Sequence, residues 1–138
     1  MDTFITNVTA VTMTPGTEVL FGVNIGITDG KIEFISKKVP EEMPKTIIEG
    51  TGMVAMPGLI NCHTHLATSV LRCFTDDLTN KEALEALLQK EAKMDSRSAK
   101  AAALLSIAEC LRFGVTSVSD LYYYPNATAQ AVAESGIK

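Results

Sequence analysis

The chain changes its hydrophobic rhythm near residue 66. Before that point, Val19, Phe21, Val23, Ile25 and Ile27 alternate with Leu20, Gly22, Asn24, Gly26 and Thr28. That period of two belongs to a strand with one buried face. Asp29-Gly30 follows and leads into Lys31-Ile32-Glu33-Phe34-Ile35. Asp-Gly between two such runs predicts a hairpin with a type I′ turn, which needs positive φ at both central residues. Residues 3–13 read as an earlier strand, set apart by Pro15-Gly16, and residues 37–45 are charged, contain Pro40 and Pro44, and predict a surface loop. Ile47-Ile48 and Met53-Val54-Ala55 predict short strands, the second running into an inner strand near 54–66.

Beyond residue 66 the period becomes helical. Thr79-Asn80-Lys81-Glu82 fits a capping box, and Leu84, Leu87 and Leu88 mark one apolar face behind it. A second helix is predicted from Ser96 to Phe113, with Leu104, Ile107, Ala108 and Leu111 on its face and Gly114 as a left-handed cap. Val115 to Leu121 predicts a strand, and Pro125-Asn126 starts a third helix that ends at Gly136. The order is a β-meander, then strand, helices, strand and helix. It predicts an α/β protein with a β-rich domain over 1–54 and the opening of a parallel α/β fold over 55–138.

Composition narrows the function classes. A net charge of -4, with Lys37-Lys38 the only adjacent basic pair, excludes the clustered positive charge of a nucleic-acid footprint. No apolar run approaches the roughly 18 residues of a membrane span, and polar residues interrupt every apolar stretch before residue 20. Cys62, Cys73 and Cys110 are an odd set without framework spacing, as expected of reduced thiols in the cytoplasm. Two glycosylation sequons, at Asn7 and Asn126, are then chance matches.

Candidate chemistry concentrates in one decapeptide. Residues 57–66 read Pro-Gly-Leu-Ile-Asn-Cys-His-Thr-His-Leu and hold both histidines of the chain, His63 and His65. On a strand, residues at i and i+2 share a face with Cα atoms roughly 6.5–7 Å apart. Two imidazoles placed so can converge on one ion, and burying them without partners would cost a few kcal/mol. Spacing alone leaves metal binding and a hydrogen-bonded core pair equally open, since two nitrogens do not complete the usual four ligands of zinc. Cys62 alternates to the opposite face and reads as a small apolar packing residue.

The segment Val54-Ala55-Met56-Pro57-Gly58-Leu59-Ile60-Asn61-Cys62-His63-Thr64-His65-Leu66 resembles the first barrel strand of the amidohydrolase superfamily. Ile27-Thr28-Asp29-Gly30-Lys31-Ile32 resembles the hairpin of that superfamily's small N-terminal β-domain. Leu71 to Leu78 and Phe113 to Tyr122 are similar to the branch holding S-adenosylhomocysteine and methylthioadenosine deaminases and the triazine chlorohydrolases. The resemblance implies part of a β-sandwich followed by the first strands and helices of an incomplete (β/α)₈ barrel. It also implies a divalent metal, zinc with iron as the alternative, held in part by His63 and His65. In that branch a metal-activated water attacks a small aminated heterocycle and ammonia leaves. A glutamate there reaches the substrate's sugar hydroxyls. Glu91 lies about one residue from that position, with a solvated helix residue as its other reading. Ala83 stands where the branch has a tryptophan, which departs from a nucleoside site.

Neighbouring polar residues have bland readings too. Arg72 with Asp76-Asp77 predicts an ion-pair or capping cluster beside the site mouth, or simply a polar loop. Asp120 sits at a strand end, where barrel enzymes place functional groups, or caps a loop. Tyr122-Tyr123-Tyr124 reads either as a pocket lining or as partly buried loop aromatics. A whole barrel needs about 250 residues, and the later His, Asp and acid-base residues of the superfamily have no counterpart here. The expectation is an N-terminal fragment of a metal-dependent hydrolase, an enzyme when complete and inactive alone. The alternative is a non-catalytic α/β module that kept the sequence for folding or association. Either form is expected to expose an open sheet edge, and so to self-associate or to pair with the missing barrel segments.

Overall fold

Asp29 and Gly30 take φ of 50° and 71° in the computed structural model, which describes residues 1–138. This is the left-handed pair that a type I′ turn requires. The turn joins β2 (Val19–Thr28) to β3 (Lys31–Ser36), both antiparallel. Before them runs β1 (Thr3–Val11), shorter than the predicted 3–13, antiparallel to β2. The chain then returns to β1 twice in parallel, through β4 (Thr46–Glu49) and β5 (Val54–Ala55). The predicted meander therefore supplies three of the five strands of the sheet. Its order is β3-β2-β1-β4, with β5 also on β1. Val8, Ala10, Val23 and Ile25 form the buried cluster of this first unit, Met1–Pro57; the alternation of β2 holds at Val23 and Ile25, whereas Val19 and Phe21, expected on the same face, are exposed.

The second unit, Gly58–Lys138, is a separate compact body. It opens with β6 (Leu59–Thr64), so the single strand expected over 54–66 does not form. Pro57 cannot donate to a ladder. Val54-Ala55 stays with β1, and only the part after Gly58 pairs with β7 (Val115–Asp120), in parallel. Gly58 is required there, because a Cβ would lie 2.2 Å from the Thr116 hydroxyl oxygen. Between the two strands come a 3₁₀ segment, Leu66–Leu71, and two helices, α1 (Asn80–Glu91) and α2 (Ser96–Arg112). This strand–helix–strand crossover is one parallel α/β unit. After β7, α3 (Pro125–Ser135) ends at Gly136, φ 78°. Lys138 then bonds back to Thr116 and Val118 of β7 at 3.0 and 2.8 Å.

Caps form near the predicted points. The Glu82 carboxylate accepts the Thr79 N–H at 3.1 Å at the start of α1. Asp95 accepts the Ser98 N–H at 2.7 Å at the start of α2. Gly114 takes φ 81° just after α2. The buried face of α2 differs from the predicted one: it is Ala99, Ala102, Ala103 and Ile107, while Leu111 is 42% exposed. Helix α2 lies against the 3₁₀ segment and α3, and alanines permit that close approach where leucines would not. Leu66, Ala103, Ile107, Ala131 and Ile137 form one core cluster, with Cys110 half-buried against it. Ala67, Ala99, Ala102 and Ala127 form another, flanked by Met94, Tyr122 and Tyr124. Cys62 is exposed, which corrects its reading as a packing residue. Leu59 and Ile60 of β6 are also exposed, 52% and 69%.

Candidate metal centre and adjoining cavity

His63 lies in β6 and His65 just beyond its end, at the start of the 3₁₀ segment. Their Nε2 atoms are 3.3 Å apart, with the rings edge to face at 89°. The Nδ1 of His65 lies 2.7 Å from the Leu121 carbonyl oxygen. A carbonyl only accepts, so Nδ1 carries the proton and donates, which leaves Nε2 of the neutral ring as a bare lone pair. That lone pair faces the second imidazole.

Asp120 supports this arrangement from the end of β7. Its Oδ1 accepts the Leu66 N–H at 2.7 Å, and the Leu121 N–H donates to the Thr64 carbonyl at 3.1 Å. Two consecutive residues thus tie the end of β7 to the end of β6 on both sides of His65. Of the two readings for Asp120, the structure supplies the capping one.

The donor set fits a tetrahedral zinc ion in part. With Zn–N bonds of 2.0–2.1 Å, two ligands of a tetrahedron stand about 3.3–3.4 Å apart. The His pair has that separation. A second fixed ring nitrogen on a carbonyl is the usual companion of a metal-bound histidine. No group of three or more His, Cys, Asp or Glu residues gathers into an ion site, so this chain presents two ligands.

A cavity of about 690 Å³ opens beside His65. Its walls are Leu71, Leu84, Leu87, Leu88, Leu121 and Tyr123, with Thr68, Thr75, Arg72, Glu91 and Tyr122 as the polar groups. The apolar stripe of α1 therefore faces an open space. Leu84 and Leu88 are 59% and 45% exposed, and α1 buries no residue fully. The sequence marks that stripe as one apolar face without showing what it meets. Glu91, half-buried at the last turn of α1, lines the same cavity as His65. Burial, and after it the neighbouring Glu91 carboxylate, push Tyr122 up to about 12. Tyr122 and Tyr123 line the cavity as the pocket reading of the tyrosine run anticipated.

Arg72 does not pair with Asp76 or Asp77. Its Nη1 and Nη2 each lie 2.7 Å from a Glu109 carboxylate oxygen, a bidentate pair that holds the Glu109 carboxyl below its ordinary value. The fork geometry of guanidinium favours a carboxylate that presents both oxygens, and Glu109 on α2 does so. Glu91 is then the one acidic group of the cavity wall, and the guanidinium of that wall is engaged elsewhere.

Residues 54–138 match the sequence model of the amidohydrolase family. The chain belongs to the amidohydrolase family. Over 138 residues, 99% of its length, this amidohydrolase chain is 37% identical to a 5′-deoxyadenosine deaminase of Methanosarcina barkeri. It is 38% identical over 122 residues to a 5-methylthioadenosine/S-adenosylhomocysteine deaminase of Dictyoglomus turgidum, with 88% of the chain and 29% of the relative covered. It spans about a third of the length of the curated relatives it matches, 32% for the first. Among solved structures, atrazine chlorohydrolase TrzN of Arthrobacter aurescens, complexed with zinc, superposes with a TM-score of 0.86 at 26% identity. An adenosine deaminase of Xanthomonas campestris with bound zinc gives 0.85 at 26% identity. Each comparison covers 99% of this chain, and 34% and 32% of the two enzymes. These relatives fall in the deaminase and chlorohydrolase branch that the sequence resembles.

Proposed function

We propose that this amidohydrolase chain supplies the N-terminal β-rich unit and the first strands and helices of a (β/α)₈-barrel hydrolase. In this reading, His63 and His65 are two of the ligands of a zinc ion. The reaction is hydrolytic removal of an amino or chloro substituent from a small heterocycle, and Glu91 faces the substrate. The observation that carries the reading is the His pair: two Nε2 atoms 3.3 Å apart, one of them fixed as a lone pair by the Leu121 carbonyl.

When bound, zinc supplies the Lewis acidity that makes water a nucleophile near neutral pH. The chain's own residues do the positioning. Leu121 holds the proton on His65 Nδ1, and Asp120 holds the backbone that follows it. The leucines of α1 give a substrate a dry wall, and Glu91 offers an acceptor for hydroxyl or amino hydrogens. The matching relatives act, by their names, on 5′-deoxyadenosine, 5-methylthioadenosine and S-adenosylhomocysteine. That favours an aminated purine over a triazine.

Zinc titration of the 138-residue chain by calorimetry tests the ligand assignment. Weak or substoichiometric binding that disappears in His63→Ala and in His65→Ala is expected, because two ligands leave half of the tetrahedron to water. Tight one-to-one binding that survives both substitutions would refute it.

A further inference from the structure

The three tyrosines of the chain are consecutive, and they lie in the segment that follows the His65 clamp. Asp120 and Leu121 reach the start of the 3₁₀ segment, as described above. The next residues reach the opposite wall of the cavity. The Tyr122 hydroxyl points at the Met94 sulfur at 3.5 Å, and the Tyr124 hydroxyl donates to the Met94 carbonyl. Met94 closes the turn after α1, with its N–H on the Glu91 carbonyl at 3.0 Å. Met94, Tyr122 and Tyr124 also pack together on the alanine cluster. Residues 120–124 therefore touch the cavity wall that carries His65 at one end and the wall that carries Glu91 at the other.

We propose that Tyr122 and Tyr124 are positioning residues that set the Glu91 carboxylate on the cavity wall by holding Met94. The inference rests on the reading of Glu91 as a substrate-facing group. Its physical basis is the end of a helix that has little else to hold it. Helix α1 buries no residue fully, so its last turn lacks the packing that would fix a side chain. The Tyr124–Met94 hydrogen bond and the apolar contact of Met94 supply that constraint. The tyrosines themselves need not touch the substrate. One five-residue segment thereby sets the spacing between the histidine side and the acceptor side of the cavity.

The test uses the chain in excess zinc, adenosine as the binding probe, and the variants Tyr124→Phe, Glu91→Gln and their combination. Glu91→Gln is expected to weaken adenosine binding about tenfold, the scale of one lost hydrogen bond to a charged acceptor. Tyr124→Phe is expected to weaken it by a similar factor. The double variant is expected to be no weaker than Glu91→Gln alone, because both act through one carboxylate. Zinc affinity stays constant throughout. Hydrogen exchange provides a readout without ligand: Tyr124→Phe speeds exchange at the Ala92 and Met94 amides but leaves the Leu66 amide protected. A general loss of stability would speed all three, and that result overturns the inference. Full additivity in the double variant, or unchanged adenosine binding in Tyr124→Phe while Glu91→Gln is weakened, overturns it as well. Unchanged binding in Glu91→Gln overturns the substrate-facing reading first, and the inference with it.

Discussion

Asp120 accepts the Leu66 N–H at 2.7 Å, and its neighbour Leu121 accepts the proton of His65 Nδ1 at the same distance. The first contact fixes a backbone and the second fixes a tautomer, so a ring that could turn freely presents one lone pair in one direction. Removing the Asp120 carboxylate leaves the Leu66 N–H half-buried without its acceptor and loosens the start of the 3₁₀ segment. Asp120→Ala is expected to weaken zinc binding about tenfold, the lower end of the cost of losing a supporting partner. Calorimetry against the parent chain reads the change, and an unaltered isotherm would show that Leu121 alone suffices. Tyr122 gives a second residue-scale expectation. Its value rises from 10.0 to about 12 in the folded chain, so the unfolded chain releases that proton first. The contribution is fully present below about 10 and is lost as pH rises towards about 12. Urea midpoints are therefore expected to fall across that window, and to fall less in Tyr122→Phe.

At the scale of elements, most of the secondary structure was legible because its signals are local. The Asp29-Gly30 turn, the Glu82 contact with Thr79 and the glycine caps at 114 and 136 depend on residues a few positions apart, and each forms. The errors arise where a distant partner decides. Nothing local says that β4 and β5 return to β1, although Pro57 is a local signal that the histidine strand breaks from Val54-Ala55. Helix α2 presents alanines to its neighbours because helix and 3₁₀ segment come close, a distance that periodicity does not encode. Two substitutions probe these elements. Ile107→Ala empties the centre of the second core and should cost about 2–5 kcal/mol. Gly58→Ala drives a methyl into Thr116 at 2.2 Å and should cost about 1–3 kcal/mol. Pairing it with Thr116→Gly should recover part of that loss, and denaturant melts of both forms measure the difference.

Over the whole molecule, two units with separate cores divide the work. The first is a sheet whose buried cluster involves none of the candidate site residues. The second carries both histidines, the cavity and Glu91. The candidate site was legible in the sequence as far as His63 and His65, because their two-residue spacing is a local fact, although only His63 lies on the strand. The leucine wall of α1 was not, since an amphipathic stripe looks the same whether it meets a core or a substrate. The partner of Arg72 was not legible for a related reason: Glu109 lies 37 positions away and only the fold brings it near. Membership of the amidohydrolase family then gives the His pair its chemical context. X-ray absorption at the zinc edge of the loaded chain tests that pairing most directly. It should show two imidazole nitrogens at about 2.0–2.1 Å, a signal lost in either single alanine variant. A spectrum without imidazole scattering, or one unchanged when both histidines are replaced, would contradict it.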